Sequence, residues 1–315
     1  MRNNFQKDIL EGLRKRSKTL PSKYFYDATG DKIFIEIMNM PEYYLTKAEL
    51  DIFINKTQQI IDGLQLEKNQ YFELIELGAG DGTKTKELLK ELQNQDFDFS
   101  YLPIDISIDS LNYLEKNLKK ELPTLEITPM QGDYFGVLES LGKIDVPKIV
   151  LFLGSNLGNM VDGNSKEFLK QLNNKLCKND KVLLGLDLIK SADIVLPAYN
   201  DKAGITKRFN LNLLTRINKE LDADFDINSF KHIVTYSENE GFVRSFLESK
   251  ITQNVTIKSL DKTFNFEKGE RIHTENSRKY NDEILNTILS KTDFKIHHKL
   301  MDSKTYFADY ILIKS

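Results

Sequence analysis

The sequence predicts an α/β protein built on a doubly wound, mainly parallel sheet. Between residues 71 and 188, apolar segments of strand length alternate with segments of helical length, which is typical of successive β-α-β units. The segments 148–153 and 181–188 are almost entirely apolar, as expected for strands whose sheet is covered on both faces. The last two segments, 294–301 and 305–313, are typical of a closing antiparallel hairpin.

Helices are predicted before the first strand. Apolar residues recur at helical spacing over 4–16, and a second helical segment covers 33–38. Thr46 is placed to cap a long helix that runs to Gly63, with Glu49 three residues later completing a capping box. The alternating region that follows predicts strands over 71–77, 99–105, 125–128, 148–153 and 181–188, and helices over 83–92, 108–118 and 165–176.

The alternation stops between residues 191 and 278. We expect this stretch to be an insert that packs with the N-terminal segment as a second, α+β lobe. The predicted division is therefore 55–190 with 279–315 for the sheet domain, and 1–54 with 191–278 for the lobe. Within and after the insert, the patterns predict a helix around 209–217, strands near 230–237, 243–249 and 254–257, and a helix over 281–290.

Composition and charge narrow the class of protein. The 315 residues include 44 basic and 47 acidic side chains, a net charge of −3, and 40% are hydrophobic. These values are typical of a globular chain and argue against an extended nucleic-acid footprint, which leaves a basic excess. No apolar run approaches the roughly 18–20 residues that span a bilayer, and the N-terminus lacks the apolar core of a signal peptide. We expect a cytoplasmic protein with no membrane or nucleic-acid partner. We expect no metal, because Cys177 is the single cysteine and the four histidines are scattered.

A glycine-rich motif, Glu76-Leu77-Gly78-Ala79-Gly80-Asp81-Gly82-Thr83, lies where the first strand of the sheet gives way to a helix. Glycines there let the backbone approach a ligand, and a helix N-terminus offers unpaired N–H groups. Asp105 ends the next strand, where an acid accepts hydrogen bonds from ribose hydroxyls, and Asp133 follows the third strand, where it can face an adenine. The motif predicts a nucleotide site for either a dinucleotide or S-adenosylmethionine. Thr83 stands where the dinucleotide fingerprint has its third glycine.

Further segments are candidates for substrate contacts. Residues 152–159 place the polar run Gly-Ser-Asn-Leu-Gly-Asn at the carboxyl end of a buried strand, where open α/β sheets bind ligands. The tyrosine-rich segments 20–27 and 41–49 either pack as amphipathic core or contact a ligand. Glu275 and Ser277 lie two residues apart, so on an extended segment they share one face and can bind a ligand N–H group. The alternative for this segment is the start of a helix.

These segments together resemble the S-adenosylmethionine-dependent, histidine-specific methyltransferases, the family that methylates the α-amine of L-histidine in ergothioneine biosynthesis. The paired tyrosine-rich motifs and the Gly-Ser-x-x-Gly-Asn loop are specific to this family and its close relatives. The matching segments follow one another over nearly the whole chain: Ser22–Asp27, Pro41–Glu49, Glu76–Gly80, Asp105–Ser107, Leu153–Asn159, Ala198–Asp201 and Thr274–Ser277.

The resemblance implies a Rossmann-like methyltransferase sheet, parallel with a C-terminal antiparallel hairpin, that binds S-adenosyl-L-methionine. It also implies a second, α+β substrate-binding lobe and a monomer whose partner is a small-molecule substrate. The activity would be up to three methyl transfers to histidine, giving Nα,Nα,Nα-trimethylhistidine (hercynine). One alternative is a related N-methyltransferase of a tryptophan-derived or other amine, which has less use for an acid such as Glu275. The other, from a different class, is a nicotinamide-dependent oxidoreductase.

By position, the resemblance implies roles for individual residues. Tyr26, Gly154 and Asn159 would lie at the amine that is methylated. The implied substrate-binding residues are Asn159 and Tyr199 at the carboxylate, and Tyr43, Glu275 and Ser277 at the imidazole. The implied cofactor-binding residues are Gly78, Gly80, Lys84, Asp105, Asp133 and Tyr134.

The sequence departs from the family pattern at two places. Asn276 stands between Glu275 and Ser277, where the family has a small or branched apolar residue. The family's methionine beside the imidazole has no match near Val243-Arg244-Ser245-Phe246. Both departures concern the substrate preference and leave the methyl-transfer assignment unchanged.

Overall fold

The computed structural model of the chain divides into two compact units. The units consist of Met1–Tyr44 with Lys190–Arg278, and of Leu45–Ile189 with Lys279–Ser315. The first boundary follows Tyr44 rather than residue 54, because Ile52 and Phe53 belong to the core of the second unit. The residues that the structure describes are 2–132, 136–137 and 146–315.

Helices and strands are numbered along the described part of the chain. The helices are α1 (Arg2–Arg14), α2 (Ala28–Asn39), α3 (Tyr44–Asn55), α4 (Thr57–Leu64), α5 (Thr85–Asn94), α6 (Ile108–Glu121), α7 (Asp162–Lys175), α8 (Ala192–Tyr199), α9 (Ile205–Leu221) and α10 (Asp282–Leu289). The strands are β1 (Phe72–Leu77), β2 (Phe99–Asp105), β3 (Glu126–Ile127), β4 (Met130–Gln131), β5 (Lys148–Phe152), β6 (Lys181–Asp187), β7 (Phe230–Ser237), β8 (Phe242–Ser249), β9 (Gln253–Ile257), β10 (Lys262–Phe266), β11 (Arg271–Arg278), β12 (Phe294–Met301) and β13 (Phe307–Lys314).

The second unit contains the predicted sheet. Its strand order is β12-β13-β6-β5-β1-β2-β3, and β4 also pairs with β2. Strands β1 to β6 pair in parallel, whereas β13 runs antiparallel to both β6 and β12. The prediction of a mainly parallel sheet closed by an antiparallel hairpin is thus confirmed. The strand order reverses between β1 and β5, and ligands of open α/β sheets bind at the carboxyl ends of strands at such a switch point.

Two apolar cores cover the sheet of the second unit. Leu74 belongs to one core and its neighbour Ile75 to the other, so successive residues of β1 point to opposite faces. Helices α4, α5 and α6 contribute to the first core, whereas α7 and α10 contribute to the second. The continuous apolar runs of β5 and β6 follow from this double cover, because each residue of β5 is buried.

The predicted capping box at Thr46 is wrong. Helix α3 begins two residues earlier, at Tyr44, so Thr46 lies inside it and Glu49 is fully buried rather than capping a helix end. The predicted long helix is also divided, because Lys56 leaves the helical conformation (φ −132°, ψ 17°) between α3 and α4. Burial of Glu49 depends on partners far away in sequence, which a local capping rule does not include.

The first unit packs helices against small antiparallel sheets. The strand order of its larger sheet is β11-β8-β7, and β9 pairs with β10. Asp27 caps α2 by accepting hydrogen bonds from Thr29 N–H and Gly30 N–H, at 3.2 and 2.7 Å. The same carboxylate accepts a hydrogen bond from Asn212 Nδ2 of α9 at 2.9 Å, which ties the two helices together.

Three elements of the first unit, α8, β10 and β11, were not predicted as regular structure. Helix α8 contains Pro197, which sequence rules treat as a helix breaker. Residues 271–278 form the strand β11, so the extended interpretation of this segment is correct and the alternative of a helix start is wrong. None of the helices in the described residues is long and apolar enough to cross a membrane.

Candidate active site

The glycine-rich loop after β1 is shaped for close approach of a ligand. Gly78 and Gly80 have φ angles of 74° and 57°, in the left-handed region that glycine adopts without strain. Gly78 N–H donates a hydrogen bond to Ile104 O at 2.8 Å, which ties the loop to the end of β2. A Cβ on Gly80 would meet no atom within 4 Å, so open space lies beside this backbone. The loop therefore leaves room for a nucleotide.

Asp105 at the end of β2 faces the same loop. Its Oδ2 accepts a hydrogen bond from Gly80 N–H at 3.1 Å, and its Oδ1 accepts one from Ser107 N–H at 2.9 Å. A carboxylate has about four lone-pair sites, so both oxygens keep the capacity to accept from ribose hydroxyls. The donor and acceptor set at this loop thus fits the nucleoside of S-adenosylmethionine. Asp133 and Tyr134, predicted beside the adenine, lie outside the described residues.

Glu76 lies in β1, just before the glycine-rich loop, and is buried. It is 2% exposed, and its two carboxylate oxygens accept hydrogen bonds from Thr85 Oγ1 at 2.8 Å and from Tyr101 OH at 2.5 Å. Burial raises the pKa of Glu76 to about 7, although the two hydroxyl donors act in the opposite direction. The folded chain therefore holds a proton on Glu76 at a pH where the unfolded chain has released it.

We expect this proton to give a pH dependence of stability. A carboxyl group with a raised pKa in the folded state contributes less stability as the pH rises from about 4.5 to about 7. Glutamine cannot ionise, so the variant Glu76→Gln lacks this loss of stability. Between pH 5 and 8, its free energy of unfolding should therefore rise by roughly 1–3 kcal/mol relative to that of the wild type. Urea unfolding of both proteins at each pH measures this difference. A difference that does not change with pH would contradict the prediction.

In the loop after β5, Leu153 is followed by two left-handed residues. Gly154 has a φ of 71° and Ser155 a φ of 56°. Gly154 N–H donates to both carboxylate oxygens of Glu49, at 2.8 and 2.9 Å, and the Lys84 ammonium forms an ion pair with that same carboxylate. A Cβ on Gly154 would lie 3.7 Å from Lys84 Nζ, so the two predicted residues are neighbours. Asn159, at the end of a short 3-10 helix after this loop, is exposed.

In the first unit, β11 carries the predicted pair of Glu275 and Ser277. Ser277 Oγ is 2.8 Å from Tyr199 OH, within hydrogen-bonding distance, so two of the predicted substrate residues are in contact. Glu275 Oε2 accepts a hydrogen bond from Ser245 Oγ on β8 at 3.4 Å. The two pairs place one acid and three hydroxyl groups on or beside β11, and the acid suits a ligand that donates an N–H group.

Tyr26 and Tyr43 both lie against Phe34 of the first unit. The ring centroid of Phe34 is 5.4 Å from that of Tyr26 and 6.5 Å from that of Tyr43, with edge-to-face orientations. Arg216 of α9 donates from Nη1 to the carbonyl oxygens of Tyr24 and Tyr26, at 3.0 and 3.2 Å. The tyrosine-rich segment thus packs as core, and Arg216 fixes the backbone position of Tyr26.

The predicted site residues fall into one group in each unit. The first unit holds Tyr26, Tyr43, Tyr199, Glu275 and Ser277, whereas the second unit holds Gly78, Gly80, Lys84, Asp105, Gly154 and Asn159. Sequence reasoning missed Arg216 and the buried role of Glu49. The sequence signal for Glu49 was its place in the second tyrosine-rich motif, which we assigned to helix capping instead.

The fold and the site define the class of protein, and comparison with known proteins assigns the family. A mainly parallel sheet with an antiparallel closing hairpin, and a glycine-rich loop facing an acid at the next strand end, define a Rossmann-like methyltransferase. The family model described as histidine-specific methyltransferase, SAM-dependent, matches residues 5–314. The chain belongs to this family, as the motifs predicted. The nicotinamide-dependent alternative is thereby wrong, and S-adenosylmethionine is the cofactor.

Three relatives show how far the similarity extends. The chain is 34% identical to the histidine N-alpha-methyltransferase of Mycolicibacterium smegmatis over 93% of this chain and 89% of that protein. It is 33% identical to the protein of the same name from Mycobacterium tuberculosis, over 90% of this chain and 87% of that one. It is 29% identical to ergothioneine biosynthesis protein 1 of Schizosaccharomyces pombe, over 98% of this chain but 40% of that protein.

Proposed function

We propose that this chain methylates the α-amine of L-histidine up to three times, giving Nα,Nα,Nα-trimethylhistidine, the first step of ergothioneine biosynthesis. Membership of the histidine-specific family supports the substrate class. The observation that carries the assignment to histidine is the polar surface of β11 and β8, where Glu275 is the one acid among hydroxyl groups. A carboxylate there accepts an N–H of an imidazole, which can also become a cation with two N–H donors, whereas an indole has a single N–H donor and stays uncharged.

Substrate roles follow residue by residue. Glu275 and Ser277, with Tyr43 beside them, bind the imidazole, and Tyr199 and Asn159 bind the carboxylate. Gly154 and Asn159 lie at the amine. Tyr26, whose carbonyl oxygen accepts a hydrogen bond from Arg216, lies at the nitrogen that is methylated. The site needs space there for a nitrogen that carries three methyl groups.

The cofactor-binding roles belong to residues that lie at or follow the carboxyl ends of β1, β2 and β4. S-adenosylmethionine supplies, when bound, an electrophilic methyl group on a sulfonium. Asp105 accepts hydrogen bonds from the ribose hydroxyls, the backbone of Gly78 and Gly80 lies against the nucleoside, and Lys84 contacts the cofactor. Asp133 and Tyr134 contact the adenine. The residues of the chain act by aligning the amine with the methyl group, a positioning effect that is worth several kcal/mol in general.

We further propose a monomeric, cytoplasmic enzyme that binds a small-molecule substrate and neither nucleic acid nor membrane. A net charge of −3, with basic and acidic residues in similar number, supports the lack of a nucleic-acid footprint.

Mass spectrometry of free amino acids incubated with the purified chain and S-adenosylmethionine tests the assignment. Histidine should gain up to three methyl groups, and the other amino acids should stay unmodified. If tryptophan or another amine gains mass while histidine does not, the assignment to histidine fails and the related amine N-methyltransferase takes its place.

Asp105→Ala is expected to weaken cofactor binding selectively. The change removes the acceptor of the ribose hydroxyls and of Gly80 N–H, so the Kd for S-adenosylhomocysteine should rise about tenfold or more. The KM for histidine should change less than about twofold, since the first-unit residues are untouched. Calorimetric titration and steady-state kinetics provide the two values. Asp98→Ala, an exposed acid before the other end of the same strand, is the matched control. Equal losses for both ligands would sink the assigned role.

A further inference from the structure

Two buried carboxyl groups meet beneath the loop after β5. Glu49 of α3 and Asp309 of β13 are both 0% exposed. A Cβ on Gly185, the register partner of Asp309 on β6, would overlap Glu49 Oε1 and come within 3.1 Å of Asp309 Oδ1. Both carboxyl groups therefore lie over the same glycine, which leaves the space that they share.

The partners of the two groups are unequal. Glu49 accepts hydrogen bonds from Gly154 N–H and forms an ion pair with Lys84. Neither oxygen of Asp309 has a hydrogen-bond donor among the described residues. The Lys84 ammonium is thus the cation that faces both Glu49 and Asp309. Burial, together with the Glu49 charge, raises the pKa of Asp309 well above its usual range.

A protonated Asp309 resolves the arrangement. Its O–H then donates to Glu49, so that Glu49 carries the single negative charge opposite Lys84 and the group has no net charge. Glu49 would then receive donors from three separate parts of the chain: Lys84 before α5 and Gly154 after β5, which the structure shows, and a protonated Asp309 on β13. Glu76 also lies near Lys84, and because burial raises its pKa to about 7, it adds no negative charge to this count below that pH.

The loop that Glu49 holds is a strained one. Ser155 is a non-glycine residue with a φ of 56°, a conformation that persists only when its surroundings fix it. Ser155 Oγ accepts a hydrogen bond from Asp187 N–H at 3.0 Å, and Gly154 is fixed by Glu49. Loss of the Glu49 contact would therefore release the first residue of the loop and the Lys84 ammonium together.

We propose that Glu49 and neutral Asp309 form a hydrogen-bonded carboxylate–carboxylic acid pair that positions the Gly154 loop and Lys84 for cofactor binding and methyl transfer. Both are positioning residues, since they act through Gly154 and Lys84. The proposal rests on the function proposed above for the roles of those two residues.

Two substitutions of acid by amide distinguish the partners. In Asp309→Asn the amide N–H replaces the carboxylic O–H as donor, so the Kd for S-adenosylhomocysteine and the kcat should stay within about twofold of the wild type. In Glu49→Gln the charge opposite Lys84 is lost, so the Kd should rise and the kcat should fall, each about tenfold or more. Asp309→Leu, which has no donor, should raise the Kd about three- to tenfold.

Titration calorimetry with S-adenosylhomocysteine measures every variant, and thermal unfolding shows whether each is folded. If Asp309→Asn weakens binding as much as Glu49→Gln or Asp309→Leu, or if no variant changes the Kd, the proposal is overturned. Should Glu49→Gln not fold, the comparison of Asp309→Asn with Asp309→Leu still decides it. If the wild type binds S-adenosylhomocysteine but leaves histidine unmodified, the proposed function fails while the pair is still tested by the Kd values.

Discussion

Replacing Lys279 by methionine is expected to lower the free energy of unfolding by about 3–5 kcal/mol. Lys279 Nζ and Asp187 Oδ2 form an ion pair of 2.6 Å in which both side chains are 0% exposed. Methionine keeps most of the side-chain volume but removes the charge, so Asp187 is left as a buried carboxylate without its cation. The expected loss is the desolvation cost of that charge, which exceeds the net value of the pair.

The pair lies where the chain returns to the second unit. Tyr280 N–H donates to Asp187 O at 2.8 Å and Ile189 N–H donates to Tyr280 O at 2.9 Å, so the chain re-enters this unit alongside the end of β6. Asp187 N–H in turn donates to Ser155 Oγ of the loop after β5. We therefore expect part of the lost stability to appear as a weaker hold on that loop.

Urea unfolding at neutral pH measures the effect, with two further variants for comparison. Lys291→Met, at an exposed position, should change the free energy of unfolding by less than about 0.5 kcal/mol. Asp187→Asn combined with Lys279→Met should recover part of the loss, because no unpaired charge is left buried. A loss below about 1 kcal/mol in Lys279→Met would contradict the prediction.

The sheet of the second unit was predictable because its signals are local. Almost entirely apolar runs such as 148–153 and 181–188 require cover on both faces, and the structure supplies it with helices on each side. The closing hairpin was predicted from two segments of strand length, 294–301 and 305–313, near the C-terminus. One error arose where tertiary contacts outweigh a local rule: Thr46 does not cap a helix, and Glu49 contacts Lys84 and Gly154 instead.

The candidate site was predictable in part for the same reason. Asp105 and the glycine-rich loop are recognisable because a strand end and its following turn are contiguous in sequence. Glu49 is different, since its partners Lys84 and Gly154 lie 35 and 105 residues away. A local sequence pattern cannot show such long-range contacts. The capping rule therefore predicted a helix cap for Glu49, which is wrong.

Glu275→Gln is expected to lower the kcat/KM for histidine about 10- to 100-fold with little change in cofactor affinity. Glutamine has nearly the same shape, so Ser245 on β8 keeps a partner while the negative charge is lost. A hydrogen bond to a charged group is worth about 1.5–3 kcal/mol, which corresponds to this range of fold-changes. The effect should appear mainly in the KM, because the imidazole is remote from the nitrogen that reacts.

Steady-state kinetics with varied histidine give the KM, and calorimetric titration with S-adenosylhomocysteine gives the cofactor Kd. Glu11→Gln, an acid of the same unit whose side chain is 60% exposed, is the matched control and should leave both values unchanged. Ser277→Ala should raise the KM less than Glu275→Gln, since it removes a neutral hydroxyl. If Glu275→Gln raises the KM for histidine and the cofactor Kd equally, the carboxylate stabilises the first unit and does not bind the imidazole. Loss of a direct contact with the substrate would raise the KM alone.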